Sequence, residues 1–371
     1  MANQFITIKQ IARTALPRLI DNLVFPNLIH KDFSEEFARK QGDTIQVRKP
    51  VILEAQDFDP TQGTASQDVK EESVEVKLDH IATVDISIEA LEGALSFDDV
   101  TRLFIEPAAA ALAEKINRDG LELYKDVPTY CGTAGTTPST LAAIANARKQ
   151  LNLQKVPTAG RVAVWDPEAD AAFSTLDAIV HAEKSGTTQA LREGSIGRVM
   201  GMNHFMSQAV KAHTAGTAQP GTIKVNANAS KGADKISLKG LTAAAGKTAK
   251  GDIIKIGKYS YVITGEVTAS SNVLTDVPIS PALKVNVAAD TAVTYVPSHT
   301  ANLAFHPMAF AFVNRPLTAP AGVESYVTSY NGVSLRVVRG YDMTHKREIV
   351  SMDVLYNFKT IYPELACRVL G

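Results

Sequence analysis

The residues that could support catalysis lie in short stretches, and each stretch lacks part of the constellation that its chemistry requires. The stretch from Gly240 to Thr248 ends in Gly-Lys-Thr like a phosphate-binding loop, but five residues separate its glycines where the motif has four. It also lies among short predicted strands instead of opening a helix, so a backbone cradle for phosphate is not expected. Asp79 and His80 are adjacent, and adjacent strand residues point to opposite faces. We therefore expect a solvated His80.

Metal-binding and thiol chemistry find no better support. Five histidines lack an i, i+4 partner that would present two metal ligands on one helix face, namely His204, His213, His299, His306 and His345. The two cysteines, Cys131 and Cys367, are too few for a disulfide framework or a cysteine zinc site. No helix start is predicted near Cys131 to lower the pKa of its thiol. We therefore predict no catalytic residue, no metal ligand, no cofactor and no enzyme activity.

Charge is balanced over the whole chain but uneven along it. The formal net charge is -1, which provides no electrostatic attraction to nucleic acid. From Lys31 to Asp99 there are 17 acidic and 7 basic residues, a balance of −10. From Ala215 to Pro297 there are 9 Lys, no Arg and 5 acidic residues, a balance of +4, with no Phe or Trp. The abrupt shift in composition predicts an inserted module with its own core. Single-strand binders interleave aromatics with their basic residues, so nucleic-acid binding is not expected of this stretch.

Length and composition indicate a folded chain of two or three domains. The 371 residues are 45% hydrophobic and 21% charged, which excludes a disordered tail, a collagen and a long coiled coil. The apolar runs are shorter than the roughly 18 residues that a membrane span needs. The N-terminus lacks the basic start and apolar core of a secretory signal. We expect a soluble, intracellular protein.

The first 90 residues are predicted to be an arm followed by an extended hairpin. In the arm, 1–35, a short amphipathic segment is expected to be broken up by Pro17 and Pro26. In the hairpin region, 36–90, alternating strands flank the polar and acidic stretch 54–72. A disordered surface loop is the alternative for that stretch, but strands on both sides favour a shaped, projecting hairpin.

Residues 91–214 are predicted to be mixed helix and strand. A long helix is capped by Ser96 and runs to about Tyr124, and Pro107 either kinks it or opens its main segment. A second helix is expected from Thr137. A strand at Arg161 to Trp165 and a helix opened by Asp166-Pro167 are expected to follow.

The remaining sequence divides into an all-β insert and a return to the earlier style. In 215–297, five clear strand runs and frequent turns, including Gly257-Lys258, predict a small antiparallel β-barrel. In 298–371, alternating apolar residues predict further strands. The fold class is therefore α+β, interrupted by an all-β insertion.

This order of segments resembles the major capsid (coat) proteins of tailed bacteriophages, in particular the short-tailed-phage type that carries an insertion domain. Six stretches are similar to that family: Leu23 to Leu28, Gly42 to Pro50, Ile105 to Ala113, Gly197 to Met202, Leu303 to His306, and Asp353 to Tyr356. The resemblance covers nearly the whole chain. Its strength lies in the order of the segments, because no single stretch is as diagnostic as a metal-ligand motif.

The resemblance implies the Hong-Kong-phage-type capsid fold. The hairpin region 36–90 would contain the extended loop, 91–214 the peripheral domain with its spine helix and the start of the axial domain, 215–297 the inserted barrel, and 298–371 the return. It also implies self-assembly into hexamers and pentamers of an icosahedral virion shell around double-stranded DNA, bound without sequence specificity. The implied partners are scaffolding protein, portal and a decoration protein, with a procapsid assembled in the cytoplasm of the bacterial host and no membrane.

The uneven charge adds a hypothesis about contacts between neighbouring subunits. The acidic hairpin of one subunit and the basic insert of another would attract, and surface ion pairs contribute only about 0–1 kcal/mol each, so many would act together. We expect Glu71 and Glu72 to contact Lys255 and Lys258 of a neighbouring subunit.

Two other classes of protein remain open from the sequence. One is a cargo-enclosing nanocompartment shell of the same fold, which would enclose enzymes instead of DNA. The other is a soluble enzyme whose site is assembled from scattered residues. The missing catalytic constellation argues against an enzyme, as do the arm and the hairpin, which a monomeric enzyme would not need.

Overall fold

The computed structural model describes residues 8–31, 44–48, 73–88 and 101–371, apart from positions 182, 184, 185, 187, 188, 219, 220, 243, 321 and 343–346. The chain divides into two compact units. The first consists of Met1–Pro17, Lys31–Ala108 and Phe312–Ile361, and the second of Arg18–His30, Ala109–Ala311 and Tyr362–Gly371. Each unit is therefore assembled from segments that are distant in the sequence.

The N-terminal segment is helical and packed. Helix α1 spans Ile8–Asn22 and continues through Pro17, so the expectation that this proline breaks up the segment is wrong. The helix keeps a buried apolar stripe, formed by Ile8, Ile11, Ala12, Ala15, Leu16 and Leu19. Burying each large aliphatic side chain contributes about 1.5–3 kcal/mol, so the stripe outweighs the roughly 3 kcal/mol cost of an internal proline. Pro26 lies in the first turn of α2, Phe25–Leu28, where no N–H is required.

The first unit contains a long antiparallel sheet. Its strand order is β16-β19-β18-β17, and β3 pairs with β19 as well. These strands are β3 (His80–Ile88), β16 (Phe310–Arg315), β17 (Glu324–Tyr330), β18 (Val333–Asp342) and β19 (Arg347–Thr360). The predicted alternation holds at Leu335, Val337 and Met352, which are all buried, but not at Ile349 and Leu355, because the buried side of β19 is formed by Val350, Met352, Val354 and Tyr356.

The two strands of the predicted hairpin are also present in this unit. Strand β1, Thr44–Arg48, pairs antiparallel with β2, Ser73–Lys77, so that Thr44 lies opposite Lys77. The pairing confirms that the chain returns on itself here. Residues 49–72, which connect the two strands, lie outside the described residues.

The long helix is compound in the described part of the chain, where it extends to Asp126. One turn of π-helix at Thr101–Ile105 leads into α3, Glu106–Leu121, and a 3₁₀ turn, Glu122–Asp126, ends it. Pro107 lies in the first turn of α3, which decides between the two alternatives for this proline, while Ser96 lies outside the described residues. Within the ranges that the structure describes, no helix combines the length and apolarity needed to cross a membrane.

The second unit contains a mixed sheet covered by helices. Its strand order is β4-β20-β15-β5-β7-β6, with β8 also paired to β15. The strands are β4 (Tyr130–Gly132), β5 (Val162–Trp165), β6 (Arg198–Val199), β7 (Met202–Met206), β8 (Ala212–His213), β15 (His299–Phe305) and β20 (Ala366–Leu370). The helices are α4 (Leu141–Leu153), α5 (Pro167–Ser174), α6 (Asp177–Val180) and α7 (Gln189–Glu193).

Local sequence signals account for most of these starts. Asp166 precedes α5 and Pro167 is its first residue, as predicted. Helix α4 begins at Leu141, after Thr140, and not at Thr137 as expected. Thr140 is the residue before the first turn, with an extended backbone of φ −132° and ψ 154°.

The insert is a closed antiparallel sheet with its own core. The strand order β14-β11-β12-β13-β10-β9 is closed by a bridge between Lys224 and Ala292. The strands are β9 (Gly221–Val225), β10 (Lys235–Leu241), β11 (Ile253–Ile256), β12 (Tyr259–Ile263), β13 (Val273–Ser280) and β14 (Val293–Tyr295). One buried cluster, drawn from positions 218–293, fills the barrel. Strand β13 was not predicted, because Asp276 with a φ of 52° and the following Pro278 interrupt its apolar pattern.

Candidate functional site

A cluster of buried charged and polar side chains lies where the barrel joins the mixed sheet. We call it the basal network, and its members are Tyr124, His213, Asp252, Tyr295, His299 and Arg368. They come from the 3₁₀ turn after α3, from β8, from the loop before β11, and from β14, β15 and β20. The chain enters the barrel just after His213 and leaves it just before His299, so both crossings carry a member of the network.

Asp252 is the centre of the network and is completely buried. Its carboxylate accepts hydrogen bonds from His213 Nε2 at 2.9 Å and from the backbone N–H of Ala249 at 2.6 Å. The N–H of Gly216 lies 3.2 Å from both carboxylate oxygens, and the hydroxyl of Tyr295 donates to the second oxygen. A buried carboxylate that accepts this many hydrogen bonds is well compensated for its lost hydration.

The aromatic groups around Asp252 are held in defined protonation states. Burial, reinforced by the charge of Asp252, raises the pKa of Tyr295 far above its usual range. Burial raises the pKa of Tyr124 to about 12, and its hydroxyl lies 3.2 Å from His213 Nδ1. Burial lowers the pKa of His299 to about 4, with Arg368 acting in the same direction. His299 is therefore neutral at physiological pH, and its Nδ1 donates to the carbonyl of Pro297 at 2.8 Å.

Arg368 supplies the positive charge of the network. Its guanidinium donates to the carbonyl oxygens of Gly251 at 2.9 Å and Val127 at 3.2 Å, and also to the carbonyl of Tyr124. It lies 4.9 Å from the centroid of the Tyr124 ring, within the range of a cation–π interaction. Burial lowers the pKa of Arg368 to about 10, so it remains charged at neutral pH. Arg368 thus joins the last strand of the chain to the barrel and to the end of the long helix.

The geometry of the basal network fits a structural role better than a catalytic one. The side chains of His213 and Asp252 are 3% and 0% exposed, which leaves no path for a substrate to reach this His–Asp pair. The hydrogen bonds of Asp252 are already used by protein donors, so it is not a base waiting for a proton. Sequence reasoning missed the network, because its members lie far apart in the chain and only the polar residues at the insert boundaries could have suggested it.

The sequence-predicted motifs are placed as ordinary structural residues. Asp79 and His80 do not point to opposite faces, because Asp79 precedes β3 and its Oδ1 lies 3.6 Å from His80 Nε2. The side chain of His80 is 64% exposed, which confirms a solvated histidine. Lys247 lies 3.6 Å from Glu266 on the barrel, and the Thr248 hydroxyl donates to the carbonyl of Gly265 at 3.2 Å. Neither residue lies at the start of a helix, which is the position that a phosphate-binding loop requires.

The cysteines and histidines are likewise accounted for by packing. Cys131 and Cys367 are both buried with their Sγ atoms 3.8 Å apart, and contact with Cys131 together with burial raises the pKa of the Cys367 thiol. The indole of Trp165 donates to Nδ1 of His204 at 2.8 Å, and burial lowers the pKa of this histidine. His345 lies outside the described residues.

The residues expected to contact a neighbouring subunit are only partly described. Lys255 in β11 and Lys258 in the following turn are both exposed on the barrel, while Glu71 and Glu72 lie outside the described residues. The structure therefore shows that the two lysines are accessible and leaves their pairing with the two glutamates as a prediction. Among the residues whose positions are described, no group of three or more His, Cys, Asp or Glu side chains could hold a metal ion.

Comparison with solved structures identifies the class of fold. A phage capsid structure from Mycobacterium phage Che8 superimposes with a TM-score of 0.54 and 16% sequence identity, covering 94% of this chain and 90% of that chain. A structure described as the capsid of Ralstonia phage GP4 has a TM-score of 0.48 and 10% identity, covering 90% of this chain and 84% of its own. The virus-like particle from Pyrococcus furiosus has a TM-score of 0.44 and 8% identity, covering 98% of both chains.

The match to the Che8 structure shows the fold, and the two scores below 0.5 add no argument to it. The chain adopts the Hong-Kong-phage-type fold of tailed-phage major capsid proteins, as a mixed helix and sheet protein. No protein-family model matches the sequence, and no curated protein does either. The predicted fold class is therefore confirmed by structure, at a level of sequence identity where function has to be argued separately.

Proposed function

We propose that this chain is the major capsid protein of a tailed bacteriophage, and that it assembles into hexamers and pentamers of an icosahedral shell around double-stranded DNA. The observation that carries the proposal is the capsid fold, matched along 94% of the chain. The match leaves almost no part of the chain for a separate catalytic domain. The hydrogen-bonded burial of Asp252 and His213 supports a structural protein over an enzyme.

The hairpin of the first unit supports self-association. Strands β1 and β2 form a two-stranded sheet and pair only with each other in the described part of the chain. Elements with little core of their own are stabilised by burying surface on a partner. The partner we propose is a second copy of this chain.

Other partners follow from the proposed shell. A scaffolding protein, a portal and a decoration protein are proposed as partners, with the procapsid assembled in the cytoplasm of a bacterial host and the mature protein located in the virion capsid. DNA would be enclosed without sequence recognition, which agrees with a formal net charge of -1. The short-tailed subtype remains part of this proposal.

The proposed contact between the acidic hairpin and the barrel can be tested by charge reversal. The K255E/K258E variant should weaken the shell against dissociation, because both lysines are exposed and the acidic region 36–90 would then be repelled. Raising salt should weaken the wild-type shell in the same direction. The matched control is K231E/K235E, which places the same charge change on two other exposed barrel lysines. Equal shell stability of all three proteins at low salt would refute the contact.

The proposed function is tested by expressing the chain alone and with its candidate scaffolding protein. Sedimentation velocity and negative-stain imaging should reveal closed shells or rings of five and six subunits. A monomer or dimer that never assembles under either condition would contradict the proposal. Nuclease-protected DNA inside shells recovered from infected cells would distinguish a virion from an enzyme-filled nanocompartment, which is the second candidate function because it shares the fold.

A further inference from the structure

The barrel and the mixed sheet meet at a narrow contact, although each has a buried core of its own. In the described part of the chain, the apolar cluster with members from both is formed by three buried residues, Ile253, Val296 and Leu370. Tyr130 and Ala134 are half-buried against it. Because so small a cluster removes little apolar surface from water, the basal network must contribute much of the attachment of the barrel. We call this cluster together with the basal network the joint.

A pair of histidines lies where the chain passes through the joint. The chain does so twice, and we call these stretches, 213–217 and 296–299, the crossing segments. His213 in β8 and His299 in β15 are directly opposite each other in the antiparallel pairing of these strands. Both side chains are buried, and their ring centroids are 5.2 Å apart. A change of charge on one ring therefore acts on both crossing segments at once.

The ring of His299 faces a cation that is fixed in place. Its Nε2 atom lies 3.5 Å from Nη1 of Arg368, while its Nδ1 donates to the carbonyl of Pro297. A neutral ring presents a lone pair to the guanidinium, whereas a protonated ring would direct an N–H and a positive charge at it. Arg368 is held by the carbonyls of Gly251 in the barrel and of Tyr124, so it cannot turn away without breaking these bonds.

The other groups of the basal network do not compensate a second positive charge. Asp252 is its one carboxylate and Arg368 its fixed cation, so the network is balanced while His299 is neutral. Burial raises the pKa of Tyr124 to about 12 and holds the pKa of Tyr295 far above its usual range, so neither hydroxyl supplies a negative charge. A proton on His299 would therefore leave net positive charge buried in the joint, which is unfavourable.

The rim of the joint supplies no spare negative charge either. Glu122 is paired with Lys211 and with Lys125, the latter at 3.2 Å. Asp126 lies 4.0 Å from Lys250 of the barrel. Two carboxylates thus stand among three lysines, and both are engaged. Within the described ranges, no carboxylate lies at ion-pair distance from His299.

We propose that the joint is a pH-dependent switch, in which neutral His299 keeps the barrel attached to the mixed sheet and protonated His299 releases the barrel as a folded unit. The barrel remains folded after release because its sheet is closed and filled by its own buried cluster. The mixed sheet keeps its separate core in the same way. All groups of the switch belong to one chain, so the proposal does not depend on the proposed self-assembly.

The direction of the effect follows from the surroundings of His299 in the two states. In the attached state burial, with Arg368 and His213 acting in the same direction, lowers its pKa from 6.5 to about 4. In the released state the ring is in water, so the released state binds the proton more tightly and gains population as pH falls. With a pKa of about 6.5 for the solvated ring, the equilibrium constant for attachment should fall about twentyfold from pH 7 to pH 5.

Hydrogen exchange read by mass spectrometry tests the release on the full-length chain, with rates corrected for the pH dependence of intrinsic amide exchange. The crossing segments, in which the N–H of Ala215 donates to Ser298 Oγ at 3.0 Å, should exchange about twentyfold faster at pH 5 than at pH 7. Strand β12 of the barrel and β5 of the mixed sheet should keep their protection. Unchanged corrected rates in the crossing segments would overturn the proposal. Loss of protection in β5 and β12 at the same pH would overturn it as well, because the barrel would then not be released as a folded unit.

The variant His299→Gln tests whether this histidine is the trigger, since glutamine keeps a polar side chain and does not take up the proton. Its crossing segments should exchange at nearly the same corrected rate at pH 7 and pH 5. The matched control is His204→Gln, which removes another buried histidine of the mixed sheet, bonded to Trp165 and to the carbonyl of Val199. The control should retain the twentyfold response of the wild type. A full response in His299→Gln would overturn the assignment to His299, and the wild-type measurement decides the release even if a variant fails to fold.

Discussion

Replacing Asp252 by Asn tests the basal network, since it removes the charge at its centre and keeps the size of the side chain. One oxygen of Asp252 accepts from His213 Nε2 at 2.9 Å, and the other accepts from the N–H of Ala249 at 2.6 Å. The side chain of Asn has a single acceptor oxygen, so its NH₂ group must face the donor on one side, either His213 Nε2 or the N–H of Ala249. A buried donor left unpaired costs about 1–3 kcal/mol.

The loss of charge adds to the loss of hydrogen bonds. Arg368 is completely buried, and the charge of Asp252 is one of the charges that favour its protonated form. The described residues show no ion pair between Asp252 and Arg368, so the cost of breaking a buried ion pair does not apply here. We therefore expect Asp252→Asn to destabilise the attachment of the barrel by about 2 kcal/mol, mainly through the donors left unpaired.

Hydrogen exchange read by mass spectrometry measures this cost where it arises. At 1.36 kcal/mol for each factor of ten, the amides of β11, β14 and β15 should exchange about thirtyfold faster in the variant. The amides of β18 and β19 in the first unit should be unaffected. Asp276→Asn is the matched control, because Asp276 is an exposed residue of the same barrel. Exchange in Asp252→Asn that equals that of Asp276→Asn would refute the structural role of the network.

Three further measurements follow from burial and backbone geometry. Burial lowers the pKa of His299 from 6.5 to about 4, so between these pH values only the unfolded chain binds the proton. The free energy of unfolding should therefore fall by about 2 kcal/mol from pH 7 to pH 5. The urea midpoint of His299→Gln should change less than that of the wild type over the same range. Gly132→Ala should lower the free energy of unfolding in urea by about 1–3 kcal/mol more than Gly135→Ala does. Both glycines have positive φ, but only a Cβ at Gly132 would meet a backbone oxygen, at 2.8 Å. Equal destabilisation by the two substitutions would contradict the close approach. Cys131 and Cys367 should resist a thiol reagent in the folded chain and both react in urea, and fast reaction of either in the native protein would contradict their burial.

Much of the fold could be predicted from local patterns. The antiparallel pairing of β1 with β2 agrees with the predicted hairpin, and the strands of the insert share a core of their own. These features depend on alternation, turn residues and composition, which act over a few neighbouring positions. The order of such segments was also enough to suggest the capsid fold that the structural comparison then showed.

Prolines show where local rules were insufficient. Pro17 was expected to break up the N-terminal segment, yet α1 continues through it because its buried stripe provides more stabilisation than the proline costs. Pro278 lies within strand β13, because the pairing of β13 with β10 determines the backbone conformation there. In both places tertiary burial overrides a local preference.

The basal network required the tertiary structure. Arg368 donates a hydrogen bond to the carbonyl of Tyr124, which is 244 positions away, and no local pattern indicates such a pair. The sequence by itself indicated most of the strands, the separate composition of the insert and the acidic character of 54–72, because these depend on neighbouring residues. The tertiary structure alone decided which distant side chains meet, because burial and charge compensation arise only once the chain has folded.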